Sequence, residues 1–442
     1  LARLGLALAW SLKNEEAVRV ASEAGELIAA SEGSDAAADY LADSAAAVWG
    51  SAFDPRSWVL AEQGLRHVGT RRDLTWAGLA ILDLLEREAN DSTFPGFPLD
   101  VPVRHEISRI VLANPPLLPQ RGAVSPAIQP LFSRQLVFKS REDAIARGSM
   151  NPLVMVLVAG EYARALALAN QSVPLLLERG QLAPAALVLT GVAHCQSALG
   201  NLEASREAFG RASELAERVG NPPLLALGLT HVQLDHTFKR GEGYGLLLPG
   251  IEQFLAKDAP ENRWMRGLEW AAAASAYAYE GRRDDALRAL EQALPAVERG
   301  AGWALTYVLL NNFVIEALWV LERRDHVEVL ERNLRAKTLA PDFRCVNTDA
   351  RLSLARLCAL TGRFHEAREW FEKARHVLDE QGARPLRAIT DFDEAWMEVR
   401  RGGAGDRQRA LVLLDAARGP FERIGMPGWL RRAEELRQQL GR

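Results

Sequence analysis

Apolar positions along this chain recur three and four residues apart rather than in alternation, which predicts helices throughout. The clearest stretch runs from Leu352 to Ala374. Leu354-Ala355 belong to one helical pattern, Gly362-Arg363-Phe364 break it, and Ala367, Phe371 and Ala374 mark a second. Two short helices folded about one glycine are expected here, with the alanine admitting the partner helix and the aromatic filling the gap one turn later.

The same pattern returns along the chain. Gly160, Gly200, Gly241, Gly281 and Gly362 each fall where a first helix should end, at spacings of 40, 41, 40 and 81 residues. The last interval holds two units, so a further turn is expected near Glu322-Arg323, and another near Gly402 to Gly405. Towards the N-terminus, Gly50 and Leu12-Lys13-Asn14 are candidate turns about one unit apart. Small or apolar residues follow the turns at helical spacing, as in Leu202, Ser205, Phe209 and Ala212, or Ala286, Leu290 and Ala293. Asn347-Thr348-Asp349 offers an N-cap and a first-turn acid, Gly382 with Pro385 beyond it stops the helix after Gln381, and Glu369 and Lys373 are placed to pair on its outer face.

This pattern resembles the tetratricopeptide repeat family, which pairs a Leu-Gly/Ala first helix with an Ala-x-x-x-Phe second helix. The likeness covers about residues 150–420 well and 1–88 more loosely. It departs in period, which is longer than the family's roughly 34 residues, and in the mostly missing closing proline. The resemblance implies an all-α, right-handed superhelical solenoid of helix-pair repeats. Residues 1–90 would hold N-terminal repeats and 151–442 the main array with a C-terminal capping helix. Between Phe94 and Pro130 eight prolines interrupt any helix, so 91–150 reads as an irregular insertion with one short helix over 103–113. A linker between subarrays is the simpler reading of it, and a loop folded across the superhelix the other.

Composition narrows the class. Acidic residues (57) outnumber basic ones (53), and no run gathers the basic face a nucleic-acid reader needs. Three scattered cysteines, Cys195, Cys345 and Cys358, form neither a disulfide framework nor a paired metal clip, which suits a cytoplasmic location. Residues 303–321 are apolar enough to raise a membrane span, but Asn311, Asn312 and Glu316 in their middle argue for a buried helix and no membrane association. Leu1 already lies within a helical pattern, as expected of a piece of something longer.

Candidate chemistry is sparse. Gly241-Glu242-Gly243-Tyr244-Gly245 looks like a phosphate loop but lacks the Lys-Ser/Thr and a preceding strand. His365-Glu366-x-x-Glu369 lacks the second histidine of a zinc protease. His231, Asp235 and His236 offer metal ligands without a nameable third element, and Cys195 beside His194 points about 100° away from it. No catalytic residue, cofactor site or metal site is expected. The resemblance places one row of first-helix positions on a concave face: Thr190, His194, His231, Asp235, Ser275, Asn312, Glu316, Asp349, Ser353 and Arg356. That polar row suits a peptide or a small hydrogen-bonding effector. The Ala/Leu/Arg-rich helices and the ending from Phe421 to Leu430 also look like the C-terminal repeat region of large bacterial signalling ATPases. Some of those carry a class III nucleotide cyclase and others a LuxR-type DNA-binding domain. The implied role is a protein-interaction or regulatory scaffold, itself not an enzyme, partnered by an ATPase domain of the same polypeptide. A small-molecule sensor is the alternative.

Overall fold

A computed structural model describes residues 1–83, 160 and 162–441, apart from 12, 53, 55, 74, 81, 179, 221–222, 257–262, 300–303 and 339–347. The insertion expected over 91–150, with its short helix, lies outside these residues. Among the described residues every regular element is a helix. The first group is α1 (Ala2–Trp10), α2 (Asn14–Glu32), α3 (Ser34–Ala52) and α4 (Ser57–Val68). After the undescribed segment come α5 (Tyr162–Glu178), α6 (Leu182–Ala198), α7 (Leu202–Arg218) and α8 (Pro223–Arg240). A 3-10 turn at Tyr244–Leu246 leads to α9 (Leu248–Ala256), α10 (Arg263–Tyr279), α11 (Arg283–Arg299), α12 (Ala304–Leu321) and α13 (Val327–Thr338). The chain ends with α14 (Ala350–Leu360), α15 (Phe364–Gln381), α16 (Arg384–Arg401), α17 (Asp406–Ile424) and α18 (Pro427–Gly441).

The helices pair as their apolar patterns require. First helices are apolar on nearly every side: in α6 each residue from Ala183 to Gly191 is buried. Second helices keep an exposed face. In α15 the buried set is Ala367, Trp370, Phe371, Ala374, Val377 and Leu378, one helical stripe. Each second helix packs on its own first helix, as α7 on α6, α11 on α10 and α15 on α14, while first helices lie beside one another, α6 by α8 and α10 by α12.

The turns fall where the glycines place them. Gly160, Gly200, Gly241, Gly281 and Gly362 all have φ between 73° and 79°, a region open to glycine without a Cβ clash. At the turn that has no glycine, Glu322 itself takes φ 57°, a conformation costing an L-residue about 1–2 kcal/mol. Gly402 and Gly405 have positive φ as well, and Gly382 caps α15 after Gln381. Asp349 caps α14 by accepting from the Arg351 amide at 2.8 Å.

Two local expectations need correction. Gly50 lies inside α3, because Val48 and Trp49 are buried and the helix runs on to Ala52. The break follows at Asp54, whose carboxylate accepts from the Arg56 amide at 2.9 Å and from Asn14 Nδ2 at 3.1 Å. Lys373 does not pair with Glu369. Its ammonium lies 4.3 Å from the Trp370 ring centroid, the better partner on that face, while Glu369 sits 3.4 Å from His365 Nδ1.

Local periodicity does not foreshadow the contact between the last helix and those in the middle of the chain. Trp429 Nε1 donates to Phe238 O at 2.7 Å, across 191 residues. Arg384 donates to Leu199 O at 2.7 Å and Asn201 Oδ1 at 2.9 Å, and Arg431 lies 3.5 Å from Glu242. Arg384 thus satisfies a carbonyl at the C-terminal end of α6, where a helix leaves it unpaired and a cation is favoured, while Trp429 adds a second donor to Phe238 O, which also accepts from the Gly241 amide at 3.0 Å. Gly428 lets the backbones touch: a Cβ there would stand 2.1 Å from Gly241 O. We predict that Gly428→Ala pushes α18 off α8 and costs about 1–3 kcal/mol. Native-state hydrogen exchange should show lost protection in α18 and residues 241–247 with α10–α14 unchanged, and uniform loss would refute a local seam.

Candidate functional site

The polar row expected on a concave face is mostly buried, and its members answer one another from helix to helix. Ser275 Oγ on α10 donates to Glu316 Oε2 on α12 at 2.9 Å, and Tyr279 Oη donates to Glu316 Oε1 at 3.3 Å. Ser353 Oγ on α14 donates to Asn312 Oδ1 on α12 at 2.6 Å. Arg356 Nε on α14 donates to Asp393 Oδ2 on α16 at 2.9 Å, and its Nη1 stands 3.5 Å from Glu316. Trp319 Nε1 closes the group by donating to Asp393 Oδ1 at 3.0 Å. The hydrogen-bonded partners lie 37 or 41 residues apart, except Trp319–Asp393 at 74. The sequence period reappears as the rungs that join neighbouring units.

A second group lies on α6, α8 and α10. His231 Nε2 is 2.6 Å from Glu269 Oε1. Asp235 and Lys239 form an ion pair with both side chains fully buried, and His194 Nδ1 stands 3.7 Å from Asp235 Oδ2. Two members of the predicted row join neither group. Thr190 donates back to Leu187 O at 2.6 Å within its own helix. Asp349 serves as the cap of α14 and pairs with Arg351.

Burial sets the charge states. It pushes Glu316 and Asp393 upward from ordinary carboxyl values, against the pull of the Arg356 guanidinium between them. Burial opposes ionisation of Asp235 too, but Lys239 and His194 outweigh it and hold the carboxyl down to about 2. For His231 burial lowers the value, and the Glu269 carboxylate more than reverses that.

Several participants carry no local sequence signal. Glu269 and Asp393 stand 38 and 37 residues beyond His231 and Arg356, so the period itself would have found them. Tyr244, Trp429 and Arg432 meet through the seam. The Tyr244 and Tyr279 rings stack at 4.7 Å, and the Arg432 guanidinium carbon lies 5.0 Å from the ring centroids of both Tyr279 and Trp429.

The motifs with a look of metal or phosphate chemistry lie at a corner between helices and on the outer face of α15. Glu242 to Gly245 bridge α8 and α9 at a corner. His365 is exposed, whereas Glu366 turns to a cluster with Glu331 and Cys358 whose ligand atoms fall within 4.8 Å of one another. Arg363 holds both carboxylates there, at 2.6 Å and 2.9 Å, and Arg335 bonds Glu331 at 2.8 Å and Glu366 at 2.5 Å. Burial lifts the Cys358 thiol to about 12. A cation would have to displace two guanidinium groups, so this donor set suits an interhelix ion lattice. No helix among the described residues is long and apolar enough to cross a membrane.

Neither protein-family models nor curated proteins give a match to this chain.

Lys239→Met should cost about 3–5 kcal/mol in urea unfolding by stranding the buried Asp235 carboxylate, and Asp235→Leu added to it should restore most of that loss. The pH profile should have two arms. Asp235 has a depressed value, so its contribution is full above the ordinary carboxyl value and is lost as pH falls from there towards about 2. His231 has a raised value, so its contribution is full below the ordinary 6.5 and is lost as pH rises through its folded value. His231→Leu combined with Glu269→Leu, which strands no buried carboxylate, should therefore flatten the alkaline arm and keep the acid one, as read by denaturant midpoints from pH 3 to 9.

Proposed function

We propose that this chain is a regulatory scaffold, a right-handed superhelical solenoid of TPR-like helix pairs that binds a protein or peptide partner. We place it as the C-terminal sensor or regulatory part of a larger bacterial, cytoplasmic signal-transduction ATPase. The observation that supports this most is the shared period of turns and rungs. Helix pairs recur about every 40 residues, and buried hydrogen bonds of nearly that span, 37 to 41 residues, join one unit to another. An array built that way offers extended helical surface and little else, which fits recognition of another chain rather than turnover of a substrate.

The reading makes a concrete demand on the gene. An ATPase segment should be encoded in frame before Leu1, and the separately purified segment should bind this chain in trans with a measurable change in ATP hydrolysis. An unrelated upstream module, or no change in hydrolysis at saturating chain, would overturn it.

A second reading, a small-molecule sensor, draws support from a different observation. Donors are left over in the buried polar row and beneath α18: Asn312 Nδ2, Tyr244 Oη and Arg432 Nη1 have no hydrogen-bond acceptor among the described residues. Buried donors are seldom left so. Titration calorimetry against polar metabolites should give saturable heats, and an inert response to the whole panel would remove this reading.

A further inference from the structure

Two features of α17 go unused by the packing of the array. The first is apolar. Its buried stripe, Ala410, Leu414, Ala417 and Phe421, seats it on the helices behind it. A second row, Val412, Ala416, Pro420 and Ile424, runs down the same helix at four-residue spacing. Val412 is 58% exposed and Ala416 is exposed as well. The second helix α15 behaves otherwise, since its exposed positions from His365 to Glu380 are all polar.

The second feature is charge. A cavity of about 430 Å³ opens between α15, α16 and the C-terminal half of α17, with Ala416, Pro420 and Ile424 as an apolar wall. Arg384, Arg387 and Arg423 line it, against two carboxylates, Asp379 and Asp391. Arg387 pairs with both carboxylates, and Asp391 takes Arg375 at 2.7 Å besides. Arg384 spends Nε and Nη2 on the neutral acceptors Leu199 O and Asn201 Oδ1. Arg423 has neither an acceptor nor a carboxylate among the described residues. Two guanidinium groups on one cavity thus keep a charge that no carboxylate cancels. The whole chain carries −4, so this local surplus belongs to the face and not to the surface at large.

We propose that this face docks an acidic, aliphatic segment of a partner protein, with its apolar side chains on the α17 row and a carboxylate on Arg423 and Arg384. A guanidinium offers a carboxylate two donors in a fixed fork, and the charges steer the encounter. Length favours a peptide over a metabolite. From Val412 to Ile424 the row spans about 18 Å at 1.5 Å per residue, and Val412 lies beyond the lining of the cavity.

This surface rests on the partner-binding reading above and supplies the chemistry of the partner. The test pans a phage-displayed library of random dodecapeptides on the full chain, then measures the enriched peptides, fluorescein-labelled, by anisotropy. They should combine Leu, Ile or Phe with Asp or Glu. Arg423→Ala removes a side chain without a partner, so it should leave the Tm unchanged while weakening those peptides about tenfold. Val412→Asp, at an exposed position, should also keep the parent Tm and weaken them about tenfold. Enriched peptides that are basic or uncharged, acidic ones that bind both variants as tightly as the parent, or no enrichment at all would each overturn this surface. The scaffold reading is judged apart from it: an effect of the chain on ATP hydrolysis that survives both variants would leave that reading standing and remove this face from it.

Discussion

Arg356 is the group on which the interior depends. It carries a full charge with no exposure, and burying a guanidinium is tolerable only if carboxylates and hydrogen bonds replace its water. Asp393 on one neighbouring helix and Glu316 on another supply them, and Ser275, Tyr279 and Trp319 then satisfy the carboxylates. One buried cation thus fixes the mutual register of α10, α12, α14 and α16. Apolar packing of alanine and leucine would accept small slips between these helices, and a salt-bridged rung would not. Specificity of stacking is the clearest gain from so costly a residue.

Much of the architecture was legible because the turn chemistry is local. A glycine that must take positive φ declares itself in sequence, and five of them at regular spacing predicted the helix ends. Even the turn without a glycine could be placed, and Glu322 adopts there the backbone that glycine takes elsewhere. Gly50 misled because glycine is tolerated inside a helix when its neighbours are buried. The polar row was legible as a set of positions, but its expected openness was not. Whether Asn312 faces a groove or Ser353 depends on how closely first helices approach, and alanine content does not give that distance.

The seam was illegible for a different reason. Trp429 and Phe238 meet across 191 residues, and no spacing rule links them. Such a contact depends on how every intervening pair of helices is oriented, which no local pattern records. It also alters how stability is shared. In an open succession of helix pairs each unit leans on its neighbours alone. Here the terminal pairs also support α6 and α8, so their loss is felt in the middle of the chain.

The seam carries a further consequence for how such a chain can change over time. Open repeat arrays gain and lose whole units with little penalty, because each junction resembles the next. Between Gly241 and Gly428 that freedom is gone. An added or deleted helix pair would carry the Trp429 indole a full unit away from the Phe238 carbonyl and set another residue against Gly241. The number of helices between these two contacts is therefore constrained by geometry, and variation in length should be confined to segments outside them.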